Sequence, residues 1–321
     1  MKNYDIAINK MLQCQNIAIF THANADGDAI GSAFAFYFFL KDKNKNVDVF
    51  CKTTIPSQLK FLNIEGFLNK KTATGAYDLA ICVDCNTLEM TNIYMQDFLK
   101  CKNSISVDHH PNNPGFAQIN IVEPSLSSTC ELVAKLLYET KSKITNRMAE
   151  LLLTGIITDS GGFKFSCTSK DTMNIVCKLL NGSNVEISNI MSNIFESEND
   201  EYLAFYKEAI NNTELINNGK VAIISIKNSF FKKTGIDPNS AKNLTRIGTE
   251  LKSVLVTALI TEVEPGICKV SFRSRLGYDC SKCASVFGGG GHKQASGCKI
   301  YGDFFTTKER VIKSITDGLL W

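Results

Sequence analysis

The chain holds only four histidines, and each sits among aspartates or glycines instead of on an apolar helix face. His22, Asp26 and Asp28 share the stretch Thr-His-Ala-Asn-Ala-Asp-Gly-Asp. Asp84 closes the apolar run Leu79 to Val83, and Asp108-His109-His110 follows Ile105-Ser106-Val107. Asp159 ends a helical pattern through Thr154-Gly155-Ile156-Ile157-Thr158. Singly, each is an ordinary turn or core residue, because acids commonly terminate strands. Jointly they supply carboxylates and imidazoles without a thiolate, the donor set that suits Mn2+ or another borderline divalent ion. Converging carboxylates repel one another unless a cation holds them. The donors exceed what one site of ordinary geometry takes. Two ions about 3.5–4 Å apart, sharing a bridging carboxylate and acidifying water into a nucleophile, account for the count and point to phosphoryl chemistry.

The fourth histidine, His292, closes the run Gly288-Gly289-Gly290-Gly291 and precedes Lys-Gln-Ala-Ser-Gly. Glycines alone mark a surface loop. Beside His292, Arg273 and Arg275 they acquire a second reading, in which bare backbone and charge-assisted hydrogen bonds grip a phosphate that is not cleaved. If Val270 to Arg275 is a strand, Arg273 and Arg275 share one face.

These residues need a frame that brings them together. Ile17 to Phe20, Val47 to Phe50, Leu79 to Val83 and Ile105 to Val107 are predicted strands, and Ala29 to Leu40, Ser127 to Thr140 and Thr145 to Ile157 are predicted helices. That alternation predicts an α/β domain with a mainly parallel sheet flanked by helices. Three of the four acidic clusters then emerge where open α/β sheets bind ligands, outside the carboxyl ends of strands. Gly27 and Gly31 are expected to let the backbone turn tightly there. A polar, helical connector is expected over Ser197 to Asn217. Val221 to Ile226, Val254 to Ile260 and Val270 to Arg273 are further strands, and Phe304 to Leu319 a closing helix, in a smaller C-terminal α/β domain with a mixed sheet. The aromatics Phe34, Phe36, Tyr37, Phe38 and Phe39 are read as core. Phe163 and Phe165, beside Asp159, are better placed to touch a base, though core packing is the simpler reading.

The 321 residues suffice for two domains, and 44 % apolar with 21 % charged residues is globular and leaves no case for disorder. A net charge of +3 without polybasic blocks permits an anionic substrate but argues against tight duplex or membrane-surface binding. Met1 to Leu12 has no signal-peptide core, and Ala29 to Leu40 is shorter than the roughly 20 residues a spanning helix needs. A cytoplasmic protein is expected. The twelve cysteines are spread evenly and read as reduced core thiols. The close pairs Cys82 with Cys85 and Cys280 with Cys283 fall short of the four ligands of structural zinc.

The ordered set His-x-x-x-Asp-x-Asp, a strand-end Asp, Asp-His-His and a later Asp resembles the DHH phosphoesterases. Ser271-Phe272-Arg273-Ser274-Arg275 and Gly288 to Gly297 are similar to the DHH-associated domain, so the resemblance spans nearly the whole chain. It implies a catalytic DHH domain over residues 1–190, a helical linker over 191–217 and a substrate-binding domain over 218–321. By the same resemblance His22, Asp26 and Asp84 hold one ion, and Asp28, Asp84, His109 and Asp159 the other, with Asp84 as bridge and Mn2+ as the expected metal. His110 would face the scissile phosphate, and Asp108 would orient a ligand imidazole from behind. Arg273, Ser274, Arg275, Gly288, Gly289, Gly290, Gly291 and His292 would bind substrate.

Within that family the two-domain length and the glycine-histidine run look most like the bifunctional nanoRNases and pAp phosphatases. The implied activity is hydrolysis of very short RNA or DNA oligonucleotides and of the mononucleotide bisphosphate 3′-phosphoadenosine 5′-phosphate (pAp). A cyclic-dinucleotide or pApA phosphodiesterase is the nearest alternative. A non-catalytic nucleotide sensor is the alternative of another class. No membrane partner is expected, and a homodimer is left open.

Overall fold

Ile17, Ala18, Ile19 and Phe20 are all fully buried, as a strand covered on both faces requires. They belong to β1 (Asn16–Phe20), which lies at the centre of a sheet with β2 (Asn46–Phe50), β3 (Leu68–Asn69), β4 (Leu79–Val83), β5 (Asn103–Asp108) and β6 (Ile119–Val122). The order is β3-β2-β1-β4-β5-β6 and every pairing is parallel. Connections run one way from β1 and the other way from β4, so the topological switch point lies between these neighbours. The sequence foresees four of these strands and misses the two-residue β3 and the half-buried edge strand β6.

The computed structural model describes residues 3–52, 54–69, 76–196, 200–238, 244–275 and 277–319, and two compact units divide the chain at Ser197/Glu198. In the first unit α1 (Asn3–Gln13), α2 (Gly27–Asp42), α3 (Met95–Leu99), α4 (Thr129–Glu139), α5 (Asn146–Asp159), α6 (Lys170–Asn181) and α7 (Ile187–Phe195) surround the sheet. One core joins the sheet to α2, α4 and α5, and a second, with Phe20, Phe50, Tyr94 and Phe98, lies on the opposite face. Helix α2 is buried nearly all round, as expected of a helix packed on several sides. Its Phe34, Phe36 and Phe39 are core residues.

In the second unit β7 (Thr213–Ile216), β8 (Val221–Ile226), β9 (Val256–Glu264), β10 (Ile267–Ser274), β11 (Gly290–His292) and β12 (Ala295–Tyr301) form a sheet of order β11-β12-β10-β9-β8-β7. Only β8 and β9 pair in parallel, so the sheet is mixed. Its helices are α8 (Asp200–Asn211), α9 (Asn228–Thr234), α10 (Arg246–Thr249), α11 (Cys280–Ser285) and α12 (Phe304–Gly318). Helices α11 and α12 cover Cys268, Val270, Phe272 and Ile300 on one face; α8 and α9 cover Ile224, Ile226 and Leu259 on the other.

The segment 200–216 is not wholly the helical connector expected from its polarity. Phe205 and Ala209 are buried against the second sheet, and Thr213–Ile216 is that sheet's edge strand. Its exposed Glu214 and Leu215 hide the strand from a periodicity reading. Among the described residues no helix is long and apolar enough to cross a membrane.

Candidate metal centre

Each acidic or imidazole group reaches the switch point by a different route. Thr21 N–H extends the pattern past β1 by donating to Phe50 O (3.3 Å), and His22 follows it. Asp26 caps α2, its Oδ1 accepting from the backbone N–H of Asp28 (3.0 Å) and Ala29 (3.2 Å). Asp84 follows β4 in the left-handed region (φ 57°), tied by its N–H to Val107 O at 3.0 Å. An aspartate tolerates that backbone better than most residues, and its presence there is a local strain at a candidate site. Asp108 ends β5 and Asp159 ends α5.

Gly27 and Gly31 do something other than turn the chain. Both lie within helix α2, where a Cβ on Gly27 would stand 2.5 Å from Thr158 Oγ1 and one on Gly31 2.4 Å from Leu151 O. They let α5 approach α2 closely, which brings Asp159 beside Asp28.

The side chains converge as three overlapping groups, each with donor atoms within 4.8 Å of one another: His22, Asp26 and Asp84; Asp28, His109 and Asp159; Asp84, His109 and His110. His22 Nε2 lies 3.6 Å from Asp84 Oδ2 and 3.9 Å from Asp26 Oδ1. His109 Nε2 lies 3.1 Å from Asp159 Oδ2 and 3.9 Å from both Asp28 Oδ2 and Asp84 Oδ1. Most of these separations are longer than a hydrogen bond. Asp28 is fully buried and Asp84 only 3 % exposed. Buried carboxylates set among imidazoles at such spacings fit divalent cations in donor chemistry and in charge. Among the described residues no cysteine joins these groups, and both close cysteine pairs are buried free thiols.

Titration reflects the crowding. Burial pushes Asp28 well above the usual carboxylate range, and the negative charges of Asp84 and Asp159 push the same way. The bulk of protein around Asp26, whose side chain is itself 58 % exposed, acts with Asp84 and Asp159 to raise it to about 6. Burial would raise Asp84 too, but His22, His110 and His109 overcome it and hold that carboxyl at about 2. For His109 burial favours the neutral ring, and Asp159, Asp28 and Asp84 outweigh it, lifting the ring to about 10. His22 and His110 are raised by the same contest, chiefly by Asp84 and by Asp108 respectively.

The imidazole that Asp108 orients is His110, not His109. Its Oδ1 accepts from His110 Nδ1 at 2.7 Å and from His109 N–H at 2.9 Å, while Asn113 Nδ2 donates to Oδ2 at 2.8 Å. His109 Nδ1 instead lies 3.4 Å from Leu126 O.

Sequence reasoning missed the start of α4. Thr129 and Cys130 donate their backbone N–H groups to the two oxygens of Asp28, both at 2.7 Å, and Thr129 Oγ1 donates to Asp84 Oδ1 at 3.0 Å. A helix N-terminus thus neutralises part of the buried charge. Ser128 caps the helix through Glu131 N–H (3.0 Å), and Glu131 Oε2 reaches back to Ser127 N–H (3.0 Å) and hydroxyl (2.8 Å). The signal was in the run Ser127-Ser128-Thr129-Cys130-Glu131, which reads only as a cap until the fold sets it beside Asp28 and Asp84.

In the second unit the predicted phosphate-binding residues divide. Arg273 lies on β10, half-buried, with Nη1 donating to Phe272 O at 2.9 Å. Arg275 lies beyond the strand, and its guanidinium donates to Lys252 O and Thr249 O, each at 3.0 Å, so the two arginines do not share a strand face. Ser274 Oγ donates to Tyr278 O (2.7 Å) and contacts Lys293 O (3.2 Å). The glycine run is a short edge strand: Gly290, Gly291 and His292 pair with β12 and are exposed, and a Cβ on Gly289 would lie 2.2 Å from Gly297 O. Gly288, just before it, is at φ 72°. Phe163 packs on the first core, and Phe165 is 44 % exposed.

Comparison with known proteins agrees with this arrangement. Residues 16–156 match the "DHH family, N-terminal domain" and residues 218–317 the "DHHA1 domain". The Thermus thermophilus "Bifunctional oligoribonuclease and PAP phosphatase NrnA" is 27% identical over 307 residues, covering 94% of this chain and 90% of the relative. The Bacillus subtilis protein of the same name is 26% identical, covering 89% of each. An exopolyphosphatase-related protein from Bacteroides fragilis has the same fold, with a TM-score of 0.92 and 24% identity over 98% of this chain and 96% of that one. The chain belongs to the DHH family, carries a DHHA1 domain after its DHH domain, and is a phosphoesterase, a hydrolase.

Proposed function

We propose that the protein hydrolyses phosphoester bonds in very short oligonucleotides and removes a phosphate from pAp, with two divalent ions, Mn2+ by preference, in the centre around Asp84. The observation that carries this reading is the position of Asp84. Its Oδ2 faces His22 and its Oδ1 faces His109 and His110, so one carboxylate serves two groups of donors. In this reading His22, Asp26 and Asp84 hold one ion, and Asp28, Asp84, His109 and Asp159 the other. The names of the Thermus and Bacillus relatives support the pair of substrates.

Bound divalent ions supply Lewis acidity at the phosphoryl group and lower the pKa of water. The protein supplies the rest. Thr129 fixes the rotation of the Asp84 carboxylate, and the α4 N-terminus holds the Asp28 carboxyl in place. Asp108, itself fixed by Asn113, sets the His110 ring so that it can donate a hydrogen bond to the phosphoryl or leaving oxygen. Arg273 and His292, with the exposed glycine backbone, form a phosphate-binding group in the second unit, while Ser274 and Arg275 hold the surrounding loops. The buried free thiols support a cytoplasmic setting.

The test is product formation with Mn2+ on pAp, pApA, cyclic di-AMP and a long RNA, run in parallel. Rapid turnover of pAp and pApA with little of the others is the expected result. Preference for the cyclic dinucleotide would make the protein a signalling phosphodiesterase, preference for long RNA would overturn the short-substrate reading, and binding without turnover would make it a sensor.

A further inference from the structure

The second sheet is covered unevenly. Helices α8 and α9 pack over β8 and β9 on the face that carries Ile224, Ile226 and Leu259. On β10 and β12 that same face holds residues that alternate with the buried Cys268, Val270, Phe272 and Ile300 and belong to neither core. Register puts them in rows: His292 beside Ala295 beside Arg273, then Gly290 beside Gly297 beside Ser271, then Lys299 beside Lys269, then Tyr301 beside Ile267.

Lys269 and Lys299 are directly opposite, both exposed, and neither has an ion-pair partner among the described residues. Like charges opposite one another on a sheet face are destabilising, and an anion between them reverses the sign. Across β10, their neighbour on β9 is the neutral Thr261. The acid at the margin is Glu264, opposite Ile267 in the last row. Tyr301 is 69 % exposed, with Lys299 Nζ 5.3 Å from its ring centre. An exposed lysine pair and an exposed aromatic ring on one sheet face are the two components of a sequence-tolerant single-strand platform, one for phosphates and one for a base. Rows along a strand are about 7 Å apart, so Arg273 and the lysine pair are about 14 Å apart, more than one extended nucleotide spans.

We infer that this face, from Arg273 and His292 through Lys269 and Lys299 to Tyr301, is a track for a short single-stranded oligonucleotide, with the lysine pair on a phosphate beyond the one held at Arg273 and Tyr301 against a base. The inference rests on the proposed activity and deepens it: pAp is too short to reach the lysine pair, whereas a strand of four or five nucleotides engages it. The track therefore sets the preference between the two substrates.

The experiment compares the whole protein with the Lys269→Ala/Lys299→Ala double variant and with Tyr301→Ala and Tyr301→Phe. A labelled five-nucleotide RNA is titrated by fluorescence anisotropy in EDTA, and kcat/KM is measured with Mn2+ for that RNA and for pAp. The double variant should bind RNA about tenfold more weakly, with a salt slope shallower by about one unit. The ratio of kcat/KM for RNA to that for pAp should fall by a similar factor. Tyr301→Ala should weaken RNA binding about tenfold and Tyr301→Phe should restore it, since stacking needs the ring and not the hydroxyl. An unchanged ratio and unchanged anisotropy in both the double variant and Tyr301→Ala would overturn the track while leaving the proposed activity intact. RNA binding that the variants weaken, in a protein that hydrolyses neither substrate, would keep the track and remove the activity. Inorganic polyphosphate competing as well as RNA, with Tyr301→Ala silent, would overturn the oligonucleotide as occupant.

Discussion

At the scale of single residues the centre depends on groups that hold other groups. Thr129 Oγ1 donates to Asp84 while its N–H donates to Asp28, so one residue orients two buried carboxylates. Thr129→Val keeps the shape and the backbone bond and removes only the hydroxyl. It should weaken Mn2+ binding about 10–100-fold, the usual effect of losing an outer partner of a ligand, with little change in melting temperature. Thr129→Ser should restore affinity; calorimetric titration of the metal-free protein reads both, and a serine variant as weak as the valine one would show that the hydroxyl is not what matters. His109 makes a second prediction. Its carboxylate neighbours hold it protonated up to about pH 10, and ligation requires the neutral ring. Ion binding at pH 7 should therefore release at least one proton, and apparent affinity should rise with pH by about tenfold per unit or more between pH 6 and 9. Binding heats in two buffers of different ionisation enthalpy measure that release, and equal heats would contradict it.

At the scale of elements, the close approach of α2 and α5 is what assembles the second donor group. A Cβ on Gly155 would lie 2.2 Å from Cys130 Sγ and 2.9 Å from Asp28 Oδ1, pressing on α4 and on a candidate ligand together. Gly155→Ala should cost about 1–3 kcal/mol of stability, the range for overpacking a filled interior, and lower both metal affinity and turnover. Denaturant unfolding with a metal titration separates this from a local effect. In the second unit, Arg275 ties its guanidinium to two backbone carbonyls of the 249–252 turn. Arg275→Ala should lower the unfolding free energy by about 1–2 kcal/mol, discounted for partial exposure, and change KM for pAp by less than Arg273→Ala does. The reverse order in KM would return Arg275 to the substrate.

At the scale of the whole molecule, each unit has its own hydrophobic clusters, and among the described residues the candidate metal donors all belong to the first. Binding stabilises the state it selects by about 2.7 kcal/mol at a hundredfold excess over Kd. Hydrogen exchange with saturating Mn2+ should show slower exchange in β1, β4, β5 and the start of α4, with much smaller change in β8, β9 and β10; uniform protection would place the ions elsewhere. Much of this design is legible in the chain itself. The spacing of His22, Asp26 and Asp28, the strand-end position of Asp84 and the Asp108-His109-His110 triplet depend on local chemistry, because donors that must leave strand tips have to follow apolar runs. For the same reason four strands of the first sheet and its three main helices could be read from periodicity. What periodicity could not carry was anything fixed by partners distant in sequence. Gly27 and Gly31 prove to be helix-packing residues because Thr158 and Leu151 lie against them. Thr129 and Cys130 become part of the centre because α4 starts beside Asp28, more than a hundred residues away in sequence. Thr213–Ile216 becomes a strand because β8 offers it an edge. Lys269 and Lys299 form a pair because an antiparallel register sets them opposite, and no linear reading of the residues between them contains that fact. Composition and spacing determined which chemistry the chain could support, and tertiary packing decided which residues share a face, which are spent on structure and which are left for a ligand.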